Sequence, residues 1–152
     1  MAFYPIFLEL AGKQVLVVGA GKVGLRKIRG LLEAGARVTV VAPRAEAELV
    51  RLGVCWRCRG FRKTDLDGKA LAFTATDDRR VNRRIGIEAR RRGIPVNVAD
   101  APGECDFIVP ARVRSGNLQV AISTGGRNPR LAAELRKKLE GLLADSRDEA
   151  GR

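Results

Sequence analysis

The chain has 152 residues, the length of one domain or of one domain with a small appendage. Apolar residues make up 45%, enough for a packed core, which excludes global disorder; no apolar run approaches the roughly 18 residues that cross a bilayer. The net charge of +12, from 29 Lys and Arg against 17 Asp and Glu, suits nucleic acid, an acidic surface or a polyanionic small molecule.

The first ten residues, Met1 to Leu10, lack the basic start and small-residue cleavage site of a secretory signal, so a cytoplasmic location is expected. Of the three cysteines, Cys55 and Cys58 form a C-x-x-C spacing, but the chain has no histidine and Cys105 is the only other thiol. Reduced cytosolic cysteines and no metal site are the expectation. Aromatics are only 5% of the chain, and no basic stretch is interleaved with stacking rings, so no nucleic-acid partner is expected; with no spanning apolar run, no membrane partner is expected either.

In chain order, Gln14–Val18 is a short apolar strand. It feeds directly into Gly19-x-Gly21-x-x-Gly24, and a helix over Val23–Glu33 follows, with Val23, Ile28, Leu31 and Leu32 on its apolar face and Gly35 near its end. The spacing is that of a dinucleotide-binding loop. Gly19 permits the tight turn, Gly21 lets the backbone approach a pyrophosphate, and Gly24 lets the helix pack close to the strand. The helix N-terminus then receives the anion.

Arg37–Val41 is a β-branched strand, Ala45–Arg51 a short helix and Val54–Arg57 a third strand. Phe61–Leu66 is a connection with little period. Ala70–Thr74 is a strand, Arg79–Arg92 a helix capped by Asp77 or Asp78, and Pro95–Val98 a strand. The alternation predicts an α/β, Rossmann-type parallel sheet with helices on both faces. Ligands in such sheets bind beyond the carboxyl ends of the strands. Gly19–Gly24, Ala75–Asp78 and Asp100 all fall there.

After Ala101-Pro102-Gly103 the pattern changes. An extended run from Phe107 to Arg114, a turn at Ser115-Gly116-Asn117 and a strand over Leu118–Ser123 predict a hairpin. Asn128 caps a final helix with Pro129 in its first turn, and Leu131, Leu135, Leu139 and Leu142 form its apolar stripe. A polar, frayed tail is expected from Asp145.

The strand Arg37–Val41 ends in Ala42-Pro43-Arg44. NAD-binding sheets usually carry an acid at that tip for the ribose hydroxyl, whereas an arginine accommodates a ribose phosphate. The residues alone leave NAD and NADP open, with Arg44 as a plain surface charge the further alternative.

The chain resembles the N-terminal domains of siroheme synthases, which act as precorrin-2 dehydrogenases and in some cases as sirohydrochlorin ferrochelatases. The matching stretches are Pro5–Phe7, Val17–Gly24, Arg26-Lys27, Leu31–Pro43, Ala75–Asp78 with Val81-Asn82, Asn97–Pro102, Phe107–Pro110 and Ser123–Gly126. The resemblance implies NAD-dependent oxidation of precorrin-2 to sirohydrochlorin. It implies that Lys22, Val23, Pro43 and Arg44 line NAD alongside Gly19, Gly21 and Gly24, and that Thr76 and Asp77 lie near the nicotinamide. Asp100 matches the family's candidate catalytic carboxylate, and Thr124 a position that usually carries a hydroxyl.

Residues 1–104 are thus expected to form the NAD-binding domain, and 105–152 a truncated hairpin-and-helix dimerisation segment. The resemblance implies a homodimer built through the Phe107–Ser123 hairpin. Relatives continue into a helical region that helps wall the substrate cleft, so activity is expected to need dimerisation or another chain, or to be weak. With no histidine, a dehydrogenase without chelatase activity is expected. The polycarboxylate substrate gives the net charge of +12 a use in steering. The competing reading is a nucleotide-sensing module without catalysis.

Overall fold

The computed structural model describes residues 3–149, with side chains to residue 143. Five short strands form one parallel sheet: β1 (Gln14–Val18), β2 (Arg37–Val41), β3 (Cys55–Arg57), β4 (Leu71–Thr74) and β5 (Val96–Val98), in the order β3-β2-β1-β4-β5. Helix α1 (Lys22–Glu33) joins β1 to β2, one turn of helix α2 (Glu48–Arg51) precedes β3, and α3 (Arg79–Arg91) joins β4 to β5. The sheet order reverses between β1 and β4, which is where an open α/β sheet leaves a crevice for a ligand.

The near-continuous apolar runs follow from burial on both faces. In β1, Val15 and Val17 join Leu25, Ile28 and Leu31 of α1, while Leu16 and Val18 join Ile85 and Ala89 of α3. Each face thus has its own core, divided by the strand's two-residue period.

Three local expectations needed revision. The helix expected over Ala45–Arg51 is confined to Glu48–Arg51, and the residues before it are held to the glycine loop, where the Glu46 N–H bonds to the Ala20 carbonyl at 3.3 Å. The Phe61–Leu66 connection contains a 3-10 turn, Lys63–Leu66, organised by Asp65. Asp65 has no exposed surface and accepts from Arg59 at 2.7 and 2.8 Å, from Arg57, and from the Arg62 backbone N–H at 2.8 Å. Burial alone would raise its pKa, but these donors hold its carboxyl well below the usual range. Finally, α4 (Pro129–Glu149) runs past Asp145, where a frayed tail was expected. No Gly or Pro interrupts residues 142–149, and each added helical residue gains one bond.

The chain divides into two compact units. One is Ile6–Ile108. It ends later than the 104/105 boundary read from the sequence because the segment after β5 is tied back to it. The Asp106 N–H bonds to the Val96 carbonyl at 2.9 Å, and the Val98 N–H to Cys105 Sγ at 3.1 Å. The other unit comprises the described residues of Met1–Pro5 and Val109–Arg152. In it β6 (Ala111–Ser115) and β7 (Leu118–Ile122) form the expected antiparallel hairpin, and α4 follows. The hairpin starts at Ala111 and not at Phe107, since Pro110 has no N–H to give a ladder. Asn128 caps α4 by accepting from the Leu131 N–H at 2.9 Å.

Candidate functional site

The glycine loop leaves the tip of β1 pinned on both sides. The Gly19 N–H bonds to the Val41 carbonyl of β2 at 3.0 Å, and the Ala75 N–H beyond β4 bonds to the Val18 carbonyl at 2.7 Å. The three glycines divide their work. Gly19 has φ +103°, and a Cβ there would overlap the Ala75 carbonyl. A Cβ on buried Gly24 would overlap the Gly19 carbonyl, so α1 packs against the loop only because that atom is missing.

Gly21 is different. Its backbone is extended (φ −78°, ψ −175°), and a Cβ there would meet nothing within 4 Å. The fold therefore does not demand glycine at this position. Gly21 is also the N-cap of α1, and among the described residues no side chain caps the helix. The first-turn N–H groups are left to an external acceptor, and the bare Cα leaves room for one. These features fit a dinucleotide pyrophosphate.

Around this loop, Lys22 and Val23 are exposed on the first turn of α1. Pro43 and Arg44 are exposed beyond the tip of β2. That tip is braced from β3: Trp56 Nε1 donates to the Ala42 carbonyl at 3.0 Å, and Cys58 Sγ to the Pro43 carbonyl at 3.3 Å. Cys58 of the C-x-x-C pair thus supports the loop. Among the described residues, no group of three or more His, Cys, Asp or Glu side chains is placed to hold a metal ion.

Beyond β4, Thr76 and Asp77 lie in the turn leading into α3. Asn82, with no exposed surface, clamps that turn: its Oδ1 accepts from Thr76 Oγ1 at 2.7 Å and from the Thr76 N–H at 3.1 Å, and its Nδ2 donates to the Thr76 carbonyl at 2.9 Å. Asp78, not Asp77, is the N-cap of α3, accepting from the Arg80 and Val81 N–H groups. Asp77 is left exposed at the strand end.

Asp100 lies two residues beyond β5, in an exposed turn. Among the described residues its carboxylate accepts no hydrogen bond from that turn, which is closed by the Ala101 N–H bonding to the Val98 carbonyl at 3.2 Å. Its Oδ2 stands 3.9 Å from Arg79 Nε. The loop, the β4 turn and Asp100 therefore line one edge of the sheet. Thr124 belongs to the other unit, where its Oγ1 accepts from the Asn128 N–H at 3.1 Å ahead of α4.

Two polar anchors escaped the sequence reading of function, Asn82 and the pair Lys27–Asn97. Each had a signal: Asn82 shares the apolar face of α3 with Ile85 and Ala89, and Asn97 interrupts Val96 and Val98. Lys27 Nζ donates to Asn97 Oδ1 at 2.7 Å and lies 5.4 Å from the centre of the Phe73 ring. Burial pushes the lysine below its usual range; the Arg26 charge adds to this, and Cys105 opposes it. Burial likewise pushes the Cys105 thiol up, against the hydrogen bond from Val98.

Glycine loop, switch point and uncapped helix together define a dinucleotide-binding domain. Comparison with known proteins sharpens this. A family model described as "Putative NAD(P)-binding" matches residues 6–111, and one described as "Sirohaem biosynthesis protein central" matches residues 115–142. The siroheme synthase of Ectopseudomonas mendocina (strain ymp) is 50% identical over 144 residues, covering 92% of this chain and 31% of that protein. That of Methylococcus capsulatus (strain Bath) is 48% identical, covering 92% of this chain and 30% of its own length. The solved structure of SirC, a precorrin-2 dehydrogenase, superimposes with a TM-score of 0.77 at 31% identity, covering 91% of this chain and 70% of SirC. The chain belongs to the siroheme synthase N-terminal domain family. It spans about a third of the length of the curated siroheme synthases it matches.

Proposed function

We propose that this chain is an NAD-dependent precorrin-2 dehydrogenase, forming sirohydrochlorin. The observation that carries the reading is Gly21, a glycine the fold does not require, at the uncapped start of α1 and on the same sheet edge as Asp100.

Gly19, Gly21 and Gly24 with Lys22 and Val23 would hold the pyrophosphate, Pro43 and Arg44 the adenosine side, and Thr76 and Asp77 the nicotinamide side. Bound NAD supplies the hydride acceptor. The protein's own part is position and proton transfer. Asn82 fixes the Thr76 turn, and Lys27 and Asn97 fix β5 beneath the Asp100 turn. Asp100 takes the proton that leaves as the macrocycle loses a hydride, so two electrons and two hydrogens leave the substrate in balance. Net charge +12 steers the polycarboxylate inward.

The chain is proposed to act as a cytoplasmic homodimer. Among the described residues no helix is long and apolar enough to cross a membrane. Support for pairing comes from the second unit. Ala132 and Val113 are buried, whereas Leu131 and Leu135 of the predicted α4 stripe remain exposed, as do Val109 and Leu118. An apolar stripe left open on a helix is surface of the kind a second copy covers.

The test is absorbance of precorrin-2 incubated with the protein and NAD, with NADP in parallel. Sirohydrochlorin formation driven by NAD is expected. NAD binding without turnover would leave a nucleotide-binding module in place of an enzyme.

A further inference from the structure

Helix α3 begins with a charge in an unfavourable place. Its first turn carries Arg79 and Arg80 and no acidic side chain. The N-terminal end of a helix bears partial positive charge, so cations there are disfavoured. Arg90 and Arg91, in the last turn of the same helix, sit where the dipole favours them. The Asp78 cap offsets part of the repulsion, and two further carboxylates reach Arg79 from beyond β5. Glu104, in the 3-10 turn Pro102–Glu104, pairs with its Nη2, and Asp100 Oδ2 lies 3.9 Å from its Nε.

Stability does not account for this cluster. Arg79 is 44% exposed, and Asp100 and Glu104 are each 36% exposed. Ion pairs this open to water contribute little to stability. What the cluster provides is a guanidinium beside Asp100, with a planar fork of N–H donors matched to carboxylates. Arg80 and Arg83, which form no ion pair among the described residues, extend the positive surface along the helix.

We propose that Arg79 is the receptor for a peripheral carboxylate of the tetrapyrrole, and that Glu104 occupies the guanidinium until that carboxylate displaces it. The inference rests on the dehydrogenase reading and adds to it the residue that selects a carboxylate-bearing substrate. The exchange replaces one carboxylate by another, so the charge facing Arg79 is conserved. Glu104 is on a short exposed turn and leaves without disturbing the core. The docked carboxylate would then sit on the residue adjoining Asp100, which sets the macrocycle against the proposed base.

Two measurements test this: equilibrium binding of sirohydrochlorin, followed by its absorbance without NAD, and precorrin-2 kinetics with NAD. Arg79→Gln is expected to weaken sirohydrochlorin binding about tenfold, the loss of one charge-assisted contact, and to raise KM far more than it lowers kcat. Glu104→Gln is expected to tighten binding and lower KM, and to do neither once Arg79 is already Gln. NAD affinity, unchanged in every variant, reports an intact fold. Wild-type sirohydrochlorin binding by Arg79→Gln, weaker binding by Glu104→Gln, or an undiminished Glu104→Gln effect in the double variant would each overturn the proposal. If the wild-type protein neither binds sirohydrochlorin nor oxidises precorrin-2, the dehydrogenase reading itself fails.

Discussion

Lys27 of α1 and Asn97 of β5, seventy residues apart, meet through a 2.7 Å hydrogen bond. Asn97 passes the connection on, its Nδ2 donating to the Phe107 carbonyl at 3.0 Å. The helix that would hold the pyrophosphate, the strand that leads to Asp100 and the segment after it are thereby joined through one buried amide. Asn97→Ala leaves the half-buried amine and the Phe107 carbonyl without these partners. A loss of about 1–3 kcal/mol in urea unfolding is expected, with faster amide exchange over Cys105–Ile108. Unchanged exchange there would mean that the amide does not hold the segment.

Gly21 and Gly24 predict opposite phenotypes. Gly21→Val places its Cβ in open space at an ordinary φ, so the fold should survive, with a loss of about 1 kcal/mol from the poorer N-cap. NAD binding, followed by calorimetry, should fall at least about tenfold as the side chain occupies the pyrophosphate's approach. Gly24→Ala drives a Cβ into the Gly19 carbonyl, and about 1–3 kcal/mol of stability should be lost as α1 shifts. Equal NAD affinity in a folded Gly21→Val protein would refute the assignment of the loop.

Those glycines were legible because their constraint is local: a tight turn and a close approach are written in consecutive residues. The strand–helix alternation was legible for the same reason, since Val15–Val18 and Val38–Val41 carry their burial in their composition. Asp65 was not legible. Its partners Arg57 and Arg59 precede a turn with no hydrophobic period, and nothing in the local sequence shows that they converge. Arg79 carries no local sign of its pairing, since Glu104 lies 25 residues further along the chain, beyond β5. Asp100 was legible as a carboxylate after a strand, but its place beside Arg79 was not, because α3 and the β5 turn meet only in the folded sheet.

Asp65 makes the fold sensitive to acid. Its folded pKa lies below the ordinary value of 3.8, so as pH falls through that value the unfolded chain takes up the proton first. Stability contributed by Asp65 is full above about pH 4 and is lost progressively below it. The urea midpoint of the wild-type protein should therefore fall more steeply between pH 5 and pH 3, roughly the range where carboxylates titrate, than that of Asp65→Asn. At neutral pH the variant should already be less stable by about 1–3 kcal/mol. Parallel pH profiles would contradict this role.

The exposed stripe of α4 predicts an assembly phenotype. Leu135→Arg puts a charge on a surface proposed to be covered by a second copy. Sedimentation should report a dimer for the wild-type protein and a monomer for the variant, with the far-ultraviolet helical signal retained. A wild-type monomer at micromolar concentration would remove the dimer from the account.

The central claim is that the carboxylate at the tip of β5 performs proton transfer beside a dinucleotide seated on residues 19–24. The direct measurement is single-turnover oxidation of precorrin-2 by Asp100→Asn, with NAD affinity determined on the same sample. NAD should bind as in the wild type, and the rate should fall by about two orders of magnitude or more. Wild-type turnover by that variant would contradict the claim.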